Sequence, residues 1–285
     1  MKLDVVKREK DFLRVFGNEA ESYLQGQLSQ DIEGMLDGES RFTFLLQPSG
    51  KVDAWLRITR QAKNDYLLDV DKDHGDSVLS RLKRFLLRTD CTFEILNYFL
   101  YTEIGNSRIE MDLTDCLVIP YSWFGFEFTD YIFKKEILPE GFTLVDDRLW
   151  EETRIKVGIP ELGKEIDSST ISASLGIDEF SVSFTKGCYT GQELVARIDS
   201  RKGGTPYRLV KINGTSEIDS SQGYLFQNGE KIGTVTSEVS TDDGFFALGL
   251  LKRGVETPSE VQILSSDSRE ENVFVMPLDL SLIHI

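Results

Sequence analysis

The chain has 285 residues, enough for two or three domains with sizeable buried cores. Its 32 lysines and arginines face 48 aspartates and glutamates, a formal net charge of −16. That field repels phosphate backbones at long range and disfavours direct, general nucleic-acid binding.

A hydrophobic fraction of 40% with 28% charged residues is the composition of a soluble globular protein. Apolar runs such as Phe85-Leu86-Leu87 are too short to span a bilayer. Met1-Lys2-Leu3-Asp4 leads into charge rather than a signal-peptide core, so a cytoplasmic protein without membrane association is expected. Cys91, Cys116 and Cys188 form no CxxC and cannot pair off evenly. A disulfide framework and a four-thiolate cluster within one chain are both disfavoured. With His74 and His284 the only histidines, neither a His-based triad nor a His-rich metal site is expected, and no metal ligands are assigned.

Along the chain, Asp11–Ile32 reads as a short strand and then a helix starting near Asn18 or Glu19, with Ala20, Tyr23, Leu24 and Leu28 on one side. Arg41–Gln47 and Val52–Thr59 are strands joined by the turn Pro48-Ser49-Gly50-Lys51, and Tyr66–Val70 continues the pattern. Ser77–Arg88 has a helical apolar stripe, with Arg81, Arg84 and Arg88 at i, i+3 and i+7. Those arginines read as a solvated face, with a surface for an anionic partner as the alternative. Thr92–Leu100 is strand-like and Leu117–Phe133 is a long aromatic stretch. Asp147–Val157 is a helix ended by Gly158 and blocked by Pro160. After Gly203-Gly204, short β-rich runs separated by Asn213-Gly214, Asn228-Gly229 and Asp243-Gly244 suggest a small separate barrel.

The chemistry concentrates in residues 185–197, Thr-Lys-Gly-Cys-Tyr-Thr-Gly-Gln-Glu-Leu-Val-Ala-Arg. Thr190 and Glu193 have the spacing of a capping box, and Tyr189 and Leu194 that of a hydrophobic staple, so a helix is expected from Gly191. Cys188 then lies just outside the positive end of that helix, with Lys186 two residues before it. Both features favour the thiolate, so Cys188 is expected to be partly exposed and more acidic than Cys91 or Cys116. The competing reading is a small structural cysteine in a Gly-flanked turn.

Lys186 to Glu193 (KGCYTGQE) resembles the signature of the YgfZ-type folate-binding proteins, relatives of the glycine-cleavage T-protein. Other stretches agree in order: Leu24-Gln25-Gly26-Gln27, the Gly50-Lys51 hairpin, Arg154 to Pro160 with Gly163, and Gly229 to Ser237. The resemblance runs from about residue 10 to about residue 255. It implies an α+β fold of three domains around a central opening: a discontinuous α+β domain (1–47 and 145–204) carrying the cysteine loop, a second α+β domain (48–144) and a C-terminal β-barrel (205–285).

The resemblance also implies a folate-binding protein that supports iron–sulfur cluster assembly or repair, and through it tRNA modification. Folate would enter the opening, and cluster-assembly or client proteins would be partners. The alternative is a tetrahydrofolate-dependent aminomethyltransferase of the T-protein type. A third reading is a folate-responsive scaffold in which Cys188 is structural. The residues assigned to chemistry are Cys188, Lys186 and Asp53. Tyr189, Gln192, Arg154, Trp55 and Arg197 are assigned to tetrahydrofolate, which needs an aromatic wall, a polar edge and a cation for its tail.

Three departures qualify the resemblance. T-proteins carry a pair of aspartates where this chain has Asp53-Ala54. Lys156 stands in place of the carboxylate of an Arg-x-Glu stretch, and a lysine only donates. Ile171–Leu175, with Ser174, lacks the Glu that relatives commonly have there. Together they weigh against aminomethyl transfer and imply a weaker hold on folate than T-proteins have.

Overall fold

The computed structural model describes residues 2–105, 113, 115–200, 204–214, 223–264 and 270–279; His284 and Gly203 lie outside them. The elements begin with β1 (Leu3–Arg8), β2 (Lys10–Phe16), α1 (Ala20–Gln27), β3 (Ser40–Leu46), β4 (Val52–Ala62), β5 (Asp65–Asp71) and α2 (Gly75–Arg84). They continue with β6 (Thr92–Leu96), β7 (Phe99–Ile104), β8 (Cys116–Trp123), β9 (Phe126–Phe133), β10 (Phe142–Val145) and α3 (Arg148–Val157). Two short helices, α4 (Asp178–Ser181) and α5 (Gln192–Asp199), precede the last strands. These are β11 (Tyr207–Gly214), β12 (Tyr224–Gln227), β13 (Glu230–Thr241), β14 (Gly244–Lys252), β15 (Ser259–Leu264) and β16 (Glu270–Met276).

Strands β11 to β16 close a barrel in the order β11-β14-β13-β12-β15-β16, filled by residues such as Val210, Phe245, Ile263 and Val275. Closure leaves no free edge. Of the expected hairpins, Asn228-Gly229 and the turn before Gly244 link barrel strands, while Asn213-Gly214 ends β11 where the described residues stop. The other strands form two five-stranded sheets, ordered β10-β1-β7-β9-β8 and β3-β4-β5-β2-β6. The fold is α+β with a small C-terminal barrel, as expected.

The division of the first two-thirds differs from the expectation. The boundary at 47/48 falls in the turn between β3 and β4, which pair in one sheet from Ser40↔Thr59 to Leu46↔Val52. The stretch 1–47 is itself split, because β1 and β2, one residue apart, enter different sheets. Strand β1, unread in the sequence, pairs in parallel with β10. The two sheets share apolar core clusters, and a buried ion pair bridges them. Arg57 on β4 donates to Asp130 on β9 at 2.7 Å and to its cross-strand neighbour Asp69 at 2.8 Å. Helix α3 ends as its sequence demands: Gly158 adopts φ +84 and its amide donates to the Arg154 carbonyl at 2.8 Å.

Candidate functional site

The C-terminus of α1 and the cysteine loop form one unit. A helix leaves its last carbonyls without partners, and they carry partial negative charge. Here the loop supplies the partners. The Lys186 ammonium donates to the carbonyls of Gln25 at 2.7 Å, Leu28 at 2.8 Å and Gln30 at 2.7 Å. The Thr190 amide donates to the Gly26 carbonyl at 3.0 Å. Three contacts use all three ammonium protons, so Lys186 pins the loop and has no proton left for the Cys188 sulfur. Burial lowers its pKa to about 8, against the pull of the Asp31 and Glu33 carboxylates.

Cys188 is exposed at the tip of this pinned loop, next to exposed Gly187, around whose Cα there is open space. The other thiols are sheltered. Burial pushes Cys91 up to about 11, with Asp90 and Glu19 adding to it, and pushes Cys116 up to about 12.

The expected capping box does not form. Helix α5 starts at Gln192, one residue later than expected, and its cap is Gly191, with φ +85 and no side-chain cap bond. The side chain that closes the turn is Gln192, whose Oε1 accepts from the Tyr189 amide at 3.2 Å. Glu193 points to solvent and pairs with Arg197, one turn on. Arg197 is exposed and bound to Glu193, so it contributes nothing to the loop. Tyr189 is half-buried against the main core, with the Lys186 Nζ 5.2 Å from its ring centroid.

Asp53 lies beside this unit. Its Oδ2 accepts from Arg81 Nε at 3.0 Å, while Arg81 also donates to Gln27 Oε1 at 3.3 Å and to the Leu46 carbonyl at 2.7 Å. Arg81 is 5% exposed, so the solvated-face reading fails for it: the guanidinium ties α2 to β3 and to the end of α1. Asp53, Ser77, Ser80, Arg81 and Arg84 line a pocket of about 280 Å³.

Arg154 takes a different place from the one assigned to it. It is fully buried, and donates to Glu151 at 2.5 and 2.7 Å, to Glu165 at 3.3 Å and to Ser237 of the barrel at 2.9 Å. It joins α3 to β13 and has no surface to offer a ligand. Lys156 also faces the barrel, pairing with Glu152 at 2.6 Å and lying 4.4 Å from the Phe246 ring centroid. Ser174 is buried and donates to the Ile171 carbonyl at 2.7 Å.

Trp55 is a core residue that also walls an internal space. It stacks on Phe42 at 5.1 Å, meets Trp123 edge-on at 5.6 Å and donates to Ser181 Oγ at 2.9 Å. With Arg57, Asp69, Tyr121, Trp123, Asp130 and Trp150 it encloses about 20 Å³ between the two sheets, on the scale of one water molecule. A wider cleft of about 540 Å³ adjoins this space; Arg8, Lys10, Asp71, Trp150 and Glu161 line both. Lys7, Lys72 and Arg148 add positive charge to the cleft, and Glu9, Asp147 and Glu151 add negative charge.

The sequence reading missed Arg8, Arg57, Trp123 and Asp130. A signal was present, because Arg57 and Asp130 are each flanked by large apolar residues, Leu56 and Ile58 in one strand and Tyr131 to Phe133 in the other, where an unpaired charge is costly. Among the described residues no group of three or more His, Cys, Asp or Glu is placed to hold a metal ion. No helix among them is long and apolar enough to cross a membrane.

No protein-family model matches the chain. The solved glycine cleavage system aminomethyltransferase T of Bartonella henselae superposes with a TM-score of 0.81 at 19% identity, covering 98% of this chain and 86% of that one. The chain therefore shares the fold of that aminomethyltransferase. In sequence the chain resembles the YgfZ-type proteins over most of its length. The tRNA-modifying protein YgfZ of Aliivibrio fischeri (strain MJ11) is 27% identical over 281 residues, covering 89% of this chain and 86% of the relative. The Klebsiella pneumoniae protein of the same name is 22% identical over 299 residues, covering 93% and 90%. A Haemophilus influenzae protein described as uncharacterized is 28% identical over 267 residues, covering 92% and 93%.

Proposed function

We propose that this chain is a folate-binding protein of the YgfZ type that supports iron–sulfur cluster assembly or repair, and through it tRNA modification, with Cys188 as its reactive group. One observation carries the reading: an exposed thiol at the tip of a loop held in place by Lys186, in a chain whose other thiols are sheltered. A thiol kept only for packing belongs inside, as Cys91 is. The cluster and its donors are cargo in this reading, and cluster-assembly or client proteins are its partners.

The residues between the sheets fit a folate in chemistry. Aromatic faces are supplied by Trp55, Tyr121, Trp123 and Trp150, and the adjoining cleft carries cations alongside as many carboxylates. Folate, when bound, supplies a carrier for a one-carbon unit. This chain supplies the walls, the charges and the sheltered position.

Aminomethyl transfer of the T-protein type is the second reading, favoured by the shared fold. Against it, the Asp53 carboxylate is engaged by Arg81, and the next residue is the buried Ala54. An assay with aminomethylated lipoyl carrier protein separates the two, because only the second reading predicts turnover. Rescue of iron–sulfur enzymes in cells lacking their own YgfZ, and its loss in Cys188→Ala, tests the first.

A further inference from the structure

The space between the sheets contains two side-chain donors without partners. Arg57, 3% exposed, uses Nε and Nη1 on Asp69 and Asp130, while Nη2 has no partner. Trp123, fully buried, is stacked on Phe180 at 4.7 Å, and its Nε1 has no partner either. Buried N–H groups are nearly always bonded, and leaving one unbonded costs free energy. Two such groups lining one aromatic-walled space point to a ligand with an acceptor edge.

The neck between this space and the outer cleft contains Arg8 and Trp150. The Arg8 guanidinium lies flat enough on the indole to bring Cζ to 3.5 Å from its ring centroid. Its other contacts are few. Arg8 donates to Thr102 Oγ1 at 3.3 Å, lies 3.6 Å from Asp130 and interacts with the Tyr121 hydroxyl, which the incoming ring would have to satisfy in its place. Asp130 keeps the Arg57 bond and accepts from Thr102 Oγ1 at 2.6 Å, so it stays paired if Arg8 leaves. Exposed Asp147 on the cleft wall offers the displaced guanidinium a partner.

We propose that cleft and inner space are one ligand site gated by Arg8, in which a planar heteroaromatic ring with a carbonyl edge replaces Arg8 on the face of Trp150. Its carbonyl oxygen accepts from Arg57 Nη2 and Trp123 Nε1, and its anionic tail lies among Lys7, Lys72 and Arg148, in exchange for their present ion-pair partners Glu136, Asp11 and Asp146. As it stands, the inner space of about 20 Å³ does not admit a bicyclic ring. Swinging Arg8 away joins it to the cleft. This inference rests on the folate reading for the identity of the ring, and on the two unpartnered donors for its placement.

The test is calorimetry and stopped-flow binding of 5-formyltetrahydrofolate to the full chain and to Trp123→Phe and Arg8→Ala, with the indole N–H resonance of Trp123 followed in a ¹⁵N spectrum. Trp123→Phe removes a donor that bonds nothing in the free protein, so affinity should fall roughly three- to tenfold, the size of one hydrogen bond. Arg8→Ala should associate faster than the wild type, and the wild-type indole resonance should move on binding. Wild-type binding with an unmoved indole resonance overturns the gated site and leaves the folate reading standing. If the wild type does not bind, the folate reading falls. The site is then tested with lumazine, a planar heterocycle with a carbonyl edge and no tail: a shifted indole resonance supports it, and an unmoved one overturns it.

Discussion

Gly50 and Gly191 meet backbone to backbone: the Cα of Gly50 lies 3.2 Å from where a Cβ on Gly191 would be, and both residues have positive φ, +83 and +85. The turn before β4 and the loop before α5 are therefore packed with no room for a side chain. A Cβ on Gly191 would also sit 2.6 Å from the Gln47 carbonyl oxygen, which is backbone and cannot step aside. Gly191→Ala is expected to cost on the order of 2–4 kcal/mol, combining left-handed strain with the clash. Gly26→Ala, in the neighbouring motif, meets open space inside a helix and should be neutral or stabilising by up to about 1 kcal/mol. Denaturant midpoints of the two variants check the contrast.

Native alkylation should rank the cysteines. Cys188 is exposed, whereas burial raises the pKa of Cys91 to about 11 and of Cys116 to about 12. Thiolate is the reacting form, so at neutral pH Cys188 should be modified first and the other two mainly on unfolding. Peptide mass spectrometry after a timed iodoacetamide pulse reads the order. Equal labelling of all three would contradict it.

The start of α5 is held by Gln192. Gln192→Ala should cost about 0.5–1.5 kcal/mol through its bond from the Tyr189 amide. Thr190→Ala and Glu193→Ala should each stay within about 0.5 kcal/mol, because the Thr190 backbone makes the main contact and the Glu193–Arg197 pair is exposed. Equilibrium melts of the three variants give the ranking.

Asp178 gives the fold a pH dependence. Burial raises its carboxyl to about 6 from an ordinary 3.8, with the Asp199 charge adding to the shift, and its Oδ1 finds no partner. Between about pH 4 and 6 the folded protein therefore holds a proton that the unfolded chain releases. Stability from this group falls as pH rises through that window and returns on acidification. Asp178→Asn should flatten the slope and gain on the order of 1–2 kcal/mol at pH 7, discounted for partial exposure. Melting temperatures from pH 4 to 7 test the sign.

Much of the site was legible as a set of segments, and less as a set of roles. Local spacing marked the Cys188 loop and the Gly50 turn as special, and they do meet, Gly191 packing on Gly50. It misassigned Lys186 because the acceptors of its ammonium lie about 160 residues away, at the end of α1. Glu193 met the capping-box spacing, but Gly191 turned the backbone the other way and left its carboxylate to Arg197. Arg154 suggested a ligand contact, yet its partners on β13 are more than 80 residues distant. Pairings of that range follow from how the sheets and barrel dock, which no local pattern encodes. The early split at 47/48 failed for the same reason: a hairpin turn looks like a boundary until its two strands are seen to pair.

The most direct measurement of the central claim is rescue of iron–sulfur enzyme activity in cells lacking their own YgfZ. Expression of this chain should restore activity, and Cys188→Ala, with unchanged melting temperature, should abolish it, while Cys91→Ala, folded to the same extent, should retain it. Full rescue by a stable Cys188→Ala variant would contradict the account, since the exposed thiol would then do nothing that the pinned loop exists to present.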